Sequence, residues 1–137
     1  MLTDSDRISV LAVTPDLQDH DALDSMLPQP QWRLHKARSL RTALTKLKNG
    51  QSFPVVLCER DLAPDSWRQL LDYLMHLDRP PLLIVMSHLA DERLWAEALN
   101  LGAYDVLAKP FDEHEVVRAL RSAWRRWRQD VSRLPQN

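Results

Sequence analysis

Glycine is almost missing from this 137-residue chain, which has only Gly50 and Gly102. Loops that cradle nucleotide phosphates need clustered glycines so that the backbone can approach the anion, and those loops are therefore excluded. Cysteine is as scarce. The single Cys58 cannot form an intramolecular disulfide and suits a reducing, cytoplasmic setting. No apolar run approaches the ~18 residues of a membrane span, and Thr3-Asp4-Ser5-Asp6-Arg7 is polar where a leader would be apolar. Neither sign of charge dominates: the formal net charge is −1, which gives no reason to expect nucleic acid or a membrane surface as partner. His20, His35, His76 and His114 show no metal-ligand spacing, so no metal or other cofactor is expected.

What is present is ordinary globular material, 45% hydrophobic and 27% charged. The length suits one domain, with a core over about 8–128 and a tail at 129–137. Val55-Val56-Leu57-Cys58-Glu59 is the stretch around which the rest is arranged. It is a short apolar run bounded by Pro54 and a polar turn, and it reads as a strand buried on both faces that delivers Glu59 to its carboxyl end.

Ile8–Val13 reads as a strand, and Thr14-Pro15-Asp16 as a helix start with Thr14 as cap. That helix carries Leu23, Met26 and Leu27 inward until Pro28 and Pro30 stop it. Trp32–Ala37 alternates like an edge strand, and Ser39 caps a helix that Gly50 ends. Ser66 with Gln69 forms a capping-box pattern ahead of Leu70, Leu71 and Leu74. Leu82–Met86 is a second wholly apolar strand. Asp91 opens a helix with Leu94, Ala98 and Leu101 on one face, closed by Gly102. Tyr104–Ala108 is the fifth strand, and Asp112 with Glu115 starts a long last helix. Five strand–helix alternations predict an α/β domain with a parallel sheet and helices on both faces.

The run Gly102-Ala103-Tyr104-Asp105-Val106-Leu107-Ala108-Lys109-Pro110-Phe111 resembles the closing signature of response-regulator receiver domains, and the resemblance extends from Ile8 to about Trp127. It implies a flavodoxin-like, doubly wound five-stranded parallel sheet of order 2-1-3-4-5. It also implies, position by position, that the phosphoacceptor site falls on Glu59, the hydroxyl of the fourth strand on Ser87, and the lysine after the fifth strand on Lys109, ahead of Pro110. The aromatic switch position falls on Val106, and the metal-holding acidic pair on Thr14 and Pro15. Magnesium needs several oxygen ligands in octahedral order, and Pro15 supplies no side-chain oxygen. Glu59 reaches one methylene beyond an aspartate and imitates the charge position of an aspartyl phosphate.

The expectation is a stand-alone, non-enzymatic receiver-like domain of a bacterial two-component system. It is expected not to be phosphorylated and to act through protein contacts with a sensor kinase, an output protein or a second copy. The alternatives are an unconventional phosphoacceptor at Glu59 or Asp61, a small flavodoxin-like ligand binder, and a nucleic-acid module built on Arg118, Arg121, Arg125, Arg126, Arg128 and Arg133. Trp67, Trp95, Trp124 and Trp127 fall on helices, and Trp and Arg are favoured at interface hot spots. Trp95, Trp124, Trp127, Arg121 and Arg125 are therefore candidates for a docking face.

Overall fold

The computed structural model describes residues 7–132. Arg133, the 134–137 end and the polar 1–6 start lie outside the described residues. Five strands, β1 (Ile8–Val13), β2 (Trp32–Ala37), β3 (Val55–Glu59), β4 (Leu82–Ser87) and β5 (Asp105–Ala108), alternate with five helices. These are α1 (Leu17–Met26), α2 (Leu40–Lys48), α3 (Trp67–Met75), α4 (Glu92–Leu101) and α5 (Glu113–Ser132). The strands form one parallel sheet in the order β2-β1-β3-β4-β5. This is the doubly wound flavodoxin-like architecture, and helix α5 continues through positions 129–132, which the sequence places in a tail.

Each face of the sheet has its own core. Leu11, Val13, Val56, Cys58, Leu83, Val85 and Val106 point toward α2, α3 and α4. Val10, Ala12, Val55, Leu57, Ile84, Met86 and Leu107 point toward α1 and α5. Every residue of β3 is buried, as a central strand covered on both faces requires. The order places β1 and β3 side by side with their crossover helices on opposite faces. The crevice at their carboxyl ends is where open α/β sheets gather functional groups.

Helix starts follow the caps, with one correction. Ser39 and Asp91 accept from Thr42 N–H and Leu94 N–H, and the Gln69 side chain accepts from Ser66 N–H at 2.7 Å. The cap of α1, however, is Asp16, which accepts from Gln18 N–H, and not Thr14. The helix starts two residues later, but its phase is unchanged: Leu23 and Leu27 are buried as the pattern predicts. Trp67 packs inside the core, and one burial expectation changes: Leu101 is 46% exposed rather than inward.

Gly102 ends α4 with φ +115°, a conformation that a Cβ opposes. An added Cβ would also lie 3.2 Å from the Met75 thioether, which is flexible and half exposed. Gly102→Ala is expected to lower stability by about 1–2 kcal/mol, mostly through backbone strain, in a urea titration. A loss near zero would mean that the α4 end relaxes freely.

Candidate functional site

Lys109 is the centre of the site. It follows β5 directly, its N–H donates to the Ser87 carbonyl at 3.0 Å, and the Lys109–Pro110 peptide is cis. Its side chain turns back over the carboxyl ends of β1 and β3, and its ammonium donates to both Glu59 Oε1 and Asp19 Oδ2. All three residues are more than 90% buried. Glu59 uses its other oxygen, Oε2, to accept from Asp61 N–H at 2.7 Å. Asp19 Oδ2 accepts a second hydrogen bond, from the Thr14 hydroxyl at 2.8 Å.

Thr14, fully buried, ties this cluster to the backbone. Its hydroxyl oxygen accepts from Asp16 N–H at 3.2 Å, and its carbonyl accepts from His20 Nε2 at 2.9 Å. That bond puts the imidazole proton on Nε2 and leaves the buried Nδ1 without a partner among the described residues. Pro15 is exposed and contributes no side-chain oxygen.

Burial by itself would push the Lys109 ammonium to a lower pKa. The hydrogen bonds to Asp19 and Glu59, with the charges of those carboxylates, outweigh it and raise the pKa above the ordinary lysine value. The clasp therefore holds a charged lysine between two carboxylates. Next to it, burial pushes the Cys58 thiol far up, and the neighbouring Glu59 charge adds to the shift. Cys58 is thus a core residue with no usable thiolate at neutral pH.

Of the positions singled out in the sequence, the fold brings together Glu59, Lys109 and Thr14. Ser87 is buried nearby, with its hydroxyl accepting from Leu89 N–H at 3.0 Å. Val106 is buried on the other face of the sheet, within the α2–α4 core. Asp61 is exposed and meets Glu59 through its backbone. His88 is exposed on the rim of a small hollow of about 220 Å³, which Asp19, Lys109 and Pro110 also line.

Asp19 was not expected here. Its signal in the sequence is its position four residues before Leu23, which continues the inward stripe of α1 back by one turn. Asp19, His20 and Leu23 are all buried on the inner side of α1.

The docking-face candidates lie elsewhere. Trp95 is half-buried against the α2–α4 core. Trp124 meets Trp32 edge-on, with ring centroids 6.2 Å apart, and Arg128 lies over its ring. Arg79 covers Trp127 at 4.7 Å. Arg121 and Arg125 are exposed on α5.

Residues 10–121 match the response regulator receiver domain family, and the chain belongs to it. Receiver domains are signalling domains of two-component systems and work with kinases or output domains. The signal receiver domain of an HD domain-containing protein from Pseudomonas fluorescens Pf-5 is similar in structure, with TM-score 0.84, 27% identity and 98% of both chains covered. The chemotaxis response regulator CheY4 of Vibrio cholerae shares the fold, with TM-score 0.76 at 17% identity, covering 85% of this chain and 98% of that one. Among curated proteins, the chain is 26% identical to the two-component response regulator-like APRR1 of Arabidopsis thaliana, covering 91% of this chain and 21% of that protein. It is 28% identical to the transcriptional regulatory protein ZraR of Escherichia coli K12, covering 86% and 26%. The chain thus spans about a fifth to a quarter of the length of these curated relatives.

Proposed function

We propose that this chain is a receiver domain held in one state by its own Glu59–Lys109–Asp19 clasp and that it signals through protein contacts without being phosphorylated. The observation that carries this reading is the Lys109 ammonium, which donates to both carboxylates of the site.

The donor set fits magnesium poorly. One oxygen of Asp19 and one of Glu59 face Lys109, Glu59 Oε2 faces a backbone N–H, and the Thr14 hydroxyl donates to Asp19. Among the described residues, no three His, Cys, Asp or Glu side chains are grouped to hold a metal ion. A divalent ion entering here has to displace a buried lysine. Phosphoryl transfer to a carboxylate depends on such an ion to neutralise charge on the phosphoryl oxygens. Glu59 Oε2 also accepts from Asp61 N–H, which ties the carboxylate to the backbone.

Incubation of the protein with acetyl phosphate and Mg²⁺, followed by intact mass measurement, tests this directly. No phosphoryl adduct is expected. A Mg²⁺-dependent adduct mapping to Glu59 or Asp61 would replace this reading with that of an unconventional phosphoacceptor.

No helix among the described residues is long and apolar enough to cross a membrane. The partner under this reading is a protein, either a sensor kinase, an output protein or a second copy of the chain. The aromatic and basic residues of α4 and α5 supply candidate contacts.

A further inference from the structure

Helix α5 carries an arginine row that pairs with none of the described residues. Arg118, Arg121 and Arg125 are spaced i, i+3 and i+7, so they share one side of the helix. All three are exposed, and none makes an ion pair or hydrogen bond with any described residue. The neighbouring arginines are engaged: Arg126 pairs with Asp130 at 3.4 Å, and Arg128 stacks on Trp124.

The row borders a groove of about 720 Å³ between α5 and the end of α1. Met26, Leu27, Pro28 and Val117 give the groove an apolar floor, and among the described residues Glu113 at one end is the only acid that lines it. From Glu113 to Arg125 the groove follows α5 for about 18 Å, the length of about three helical turns. A strip of positive charge beside an apolar floor is complementary to an amphipathic segment with acids along one edge and apolar anchors along the other.

We infer that the α1–α5 groove is a docking site for an acidic amphipathic helix of a partner protein, with Arg118, Arg121 and Arg125 pairing to its carboxylates and Met26, Pro28 and Val117 seating its apolar residues. The inference deepens the protein-contact part of the proposed function by naming the partner's chemistry. It does not depend on whether Glu59 accepts phosphate.

A nucleic acid fits less well. A phosphate backbone gains its affinity by neutralisation over a broad basic surface. Here the basic strip is narrow and runs beside the apolar residues Met26, Pro28 and Val117, which a phosphate backbone does not use.

The test is a displayed library of helical peptides about four turns, or about 14 residues, long. One half carries Glu at positions spaced three and four apart, the other half carries Lys at the same positions, and the apolar positions are randomised in both. Selection on the intact wild-type chain, without Mg²⁺ or any phosphate analogue, is expected to enrich the acidic half. Enriched peptides should lose about tenfold or more in affinity for Arg118→Glu/Arg121→Glu/Arg125→Glu. They should keep their affinity for the equally reversed Arg41→Glu/Lys48→Glu/Arg93→Glu, which lies on other faces. Val117→Asp, which keeps the arginines and spoils the floor, should weaken binding as well.

Three outcomes would each overturn the inference. The acidic half fails to enrich, or its peptides bind both triple variants equally. A duplex oligonucleotide binds wild type more tightly than the best peptide and is lost in the α5 variant. Sedimentation shows a dimer that the α5 variant abolishes, which would assign the groove to a second copy of the chain. The acetyl phosphate experiment can fail independently of all three, so the two readings are separable.

Discussion

Lys109→Met is expected to destabilise the protein by about 3–5 kcal/mol at neutral pH, because it leaves buried carboxylates without their counter-charge. The ion pairs themselves are not what makes this large. Burying charged groups carries a desolvation penalty that roughly offsets their attraction, so an intact clasp adds little net stability. Removing the ammonium keeps the penalty for Asp19 and Glu59, both more than 90% buried, and takes away the compensation. The neutralised triple variant Asp19→Asn/Glu59→Gln/Lys109→Met should recover most of the loss. Urea denaturation of the three proteins checks the order.

The pH dependence gives the same variant a second readout. The folded-state pKa of Lys109 lies above its ordinary value of 10.5, so the native state holds this proton more tightly than the unfolded chain does. The contribution is complete below about pH 10.5 and disappears as pH rises through the folded value. The stability gap between wild type and Lys109→Met should therefore narrow only in strongly alkaline solution. A gap under about 1 kcal/mol at neutral pH, or one that stays constant on alkalinisation, is incompatible with a charged buried clasp.

The second large effect is a gain. Thr14→Asp/Pro15→Asp should make the stability of the domain depend on Mg²⁺, whereas wild-type stability should not. Thr14 is fully buried beside Asp19, so an added carboxylate there raises local repulsion and lowers stability in the absence of metal. Together with Asp19 and Glu59 it supplies the extra oxygens that a divalent cation needs. A ligand that binds only the folded state stabilises it by about 2.7 kcal/mol at a hundredfold excess over its dissociation constant. Thermal melts across a magnesium series would show a rising midpoint for the variant and a flat one for wild type. An equal rise in wild type would mean that the present residues already hold the ion, and the proposed phosphate-independent state would lose its basis.

Much of the fold was legible in the chain. The all-apolar runs at Val55 and Leu82 mark strands covered on both faces, and the alternating Trp32–Ala37 run marks an edge. Ser39, Ser66, Asp91 and Gly102 punctuate the helices where side-chain and left-handed caps are observed. The strand order came from the resemblance of the Lys109-Pro110 region to receivers, because periodicity identifies strands without saying which ones lie side by side. The miss at α1 was local. Thr14 followed by Pro15 is a plausible helix start, but Thr14 is drawn into the site, its hydroxyl bonded to Asp19 and its N–H to the Ala37 carbonyl. Asp16 takes over the cap, and Asp19, one turn before Leu23 on the same side of α1, is buried although nothing in its residue type announces it.

Trp67 shows a different limit. Tryptophan favours interfaces and cores alike, and nothing in a helical pattern alone distinguishes the inward stripe that meets the sheet from one that meets a partner. Only its place in the core on the α2–α4 side of the sheet decides it.

By itself the sequence determined the alternation of strands and helices, the central strand ending at Glu59, and the lysine after β5. It could do so because burial periodicity and caps are local properties of the chain. The tertiary structure decided that Lys109 answers two carboxylates and that Asp19 is one of them. It also decided that three arginines of α5 are left facing a groove. Each of these depends on distances between residues far apart in the chain, in the case of Asp19 and Lys109 ninety positions apart. Such distances are fixed only when the sheet order and the rotation of each helix are fixed.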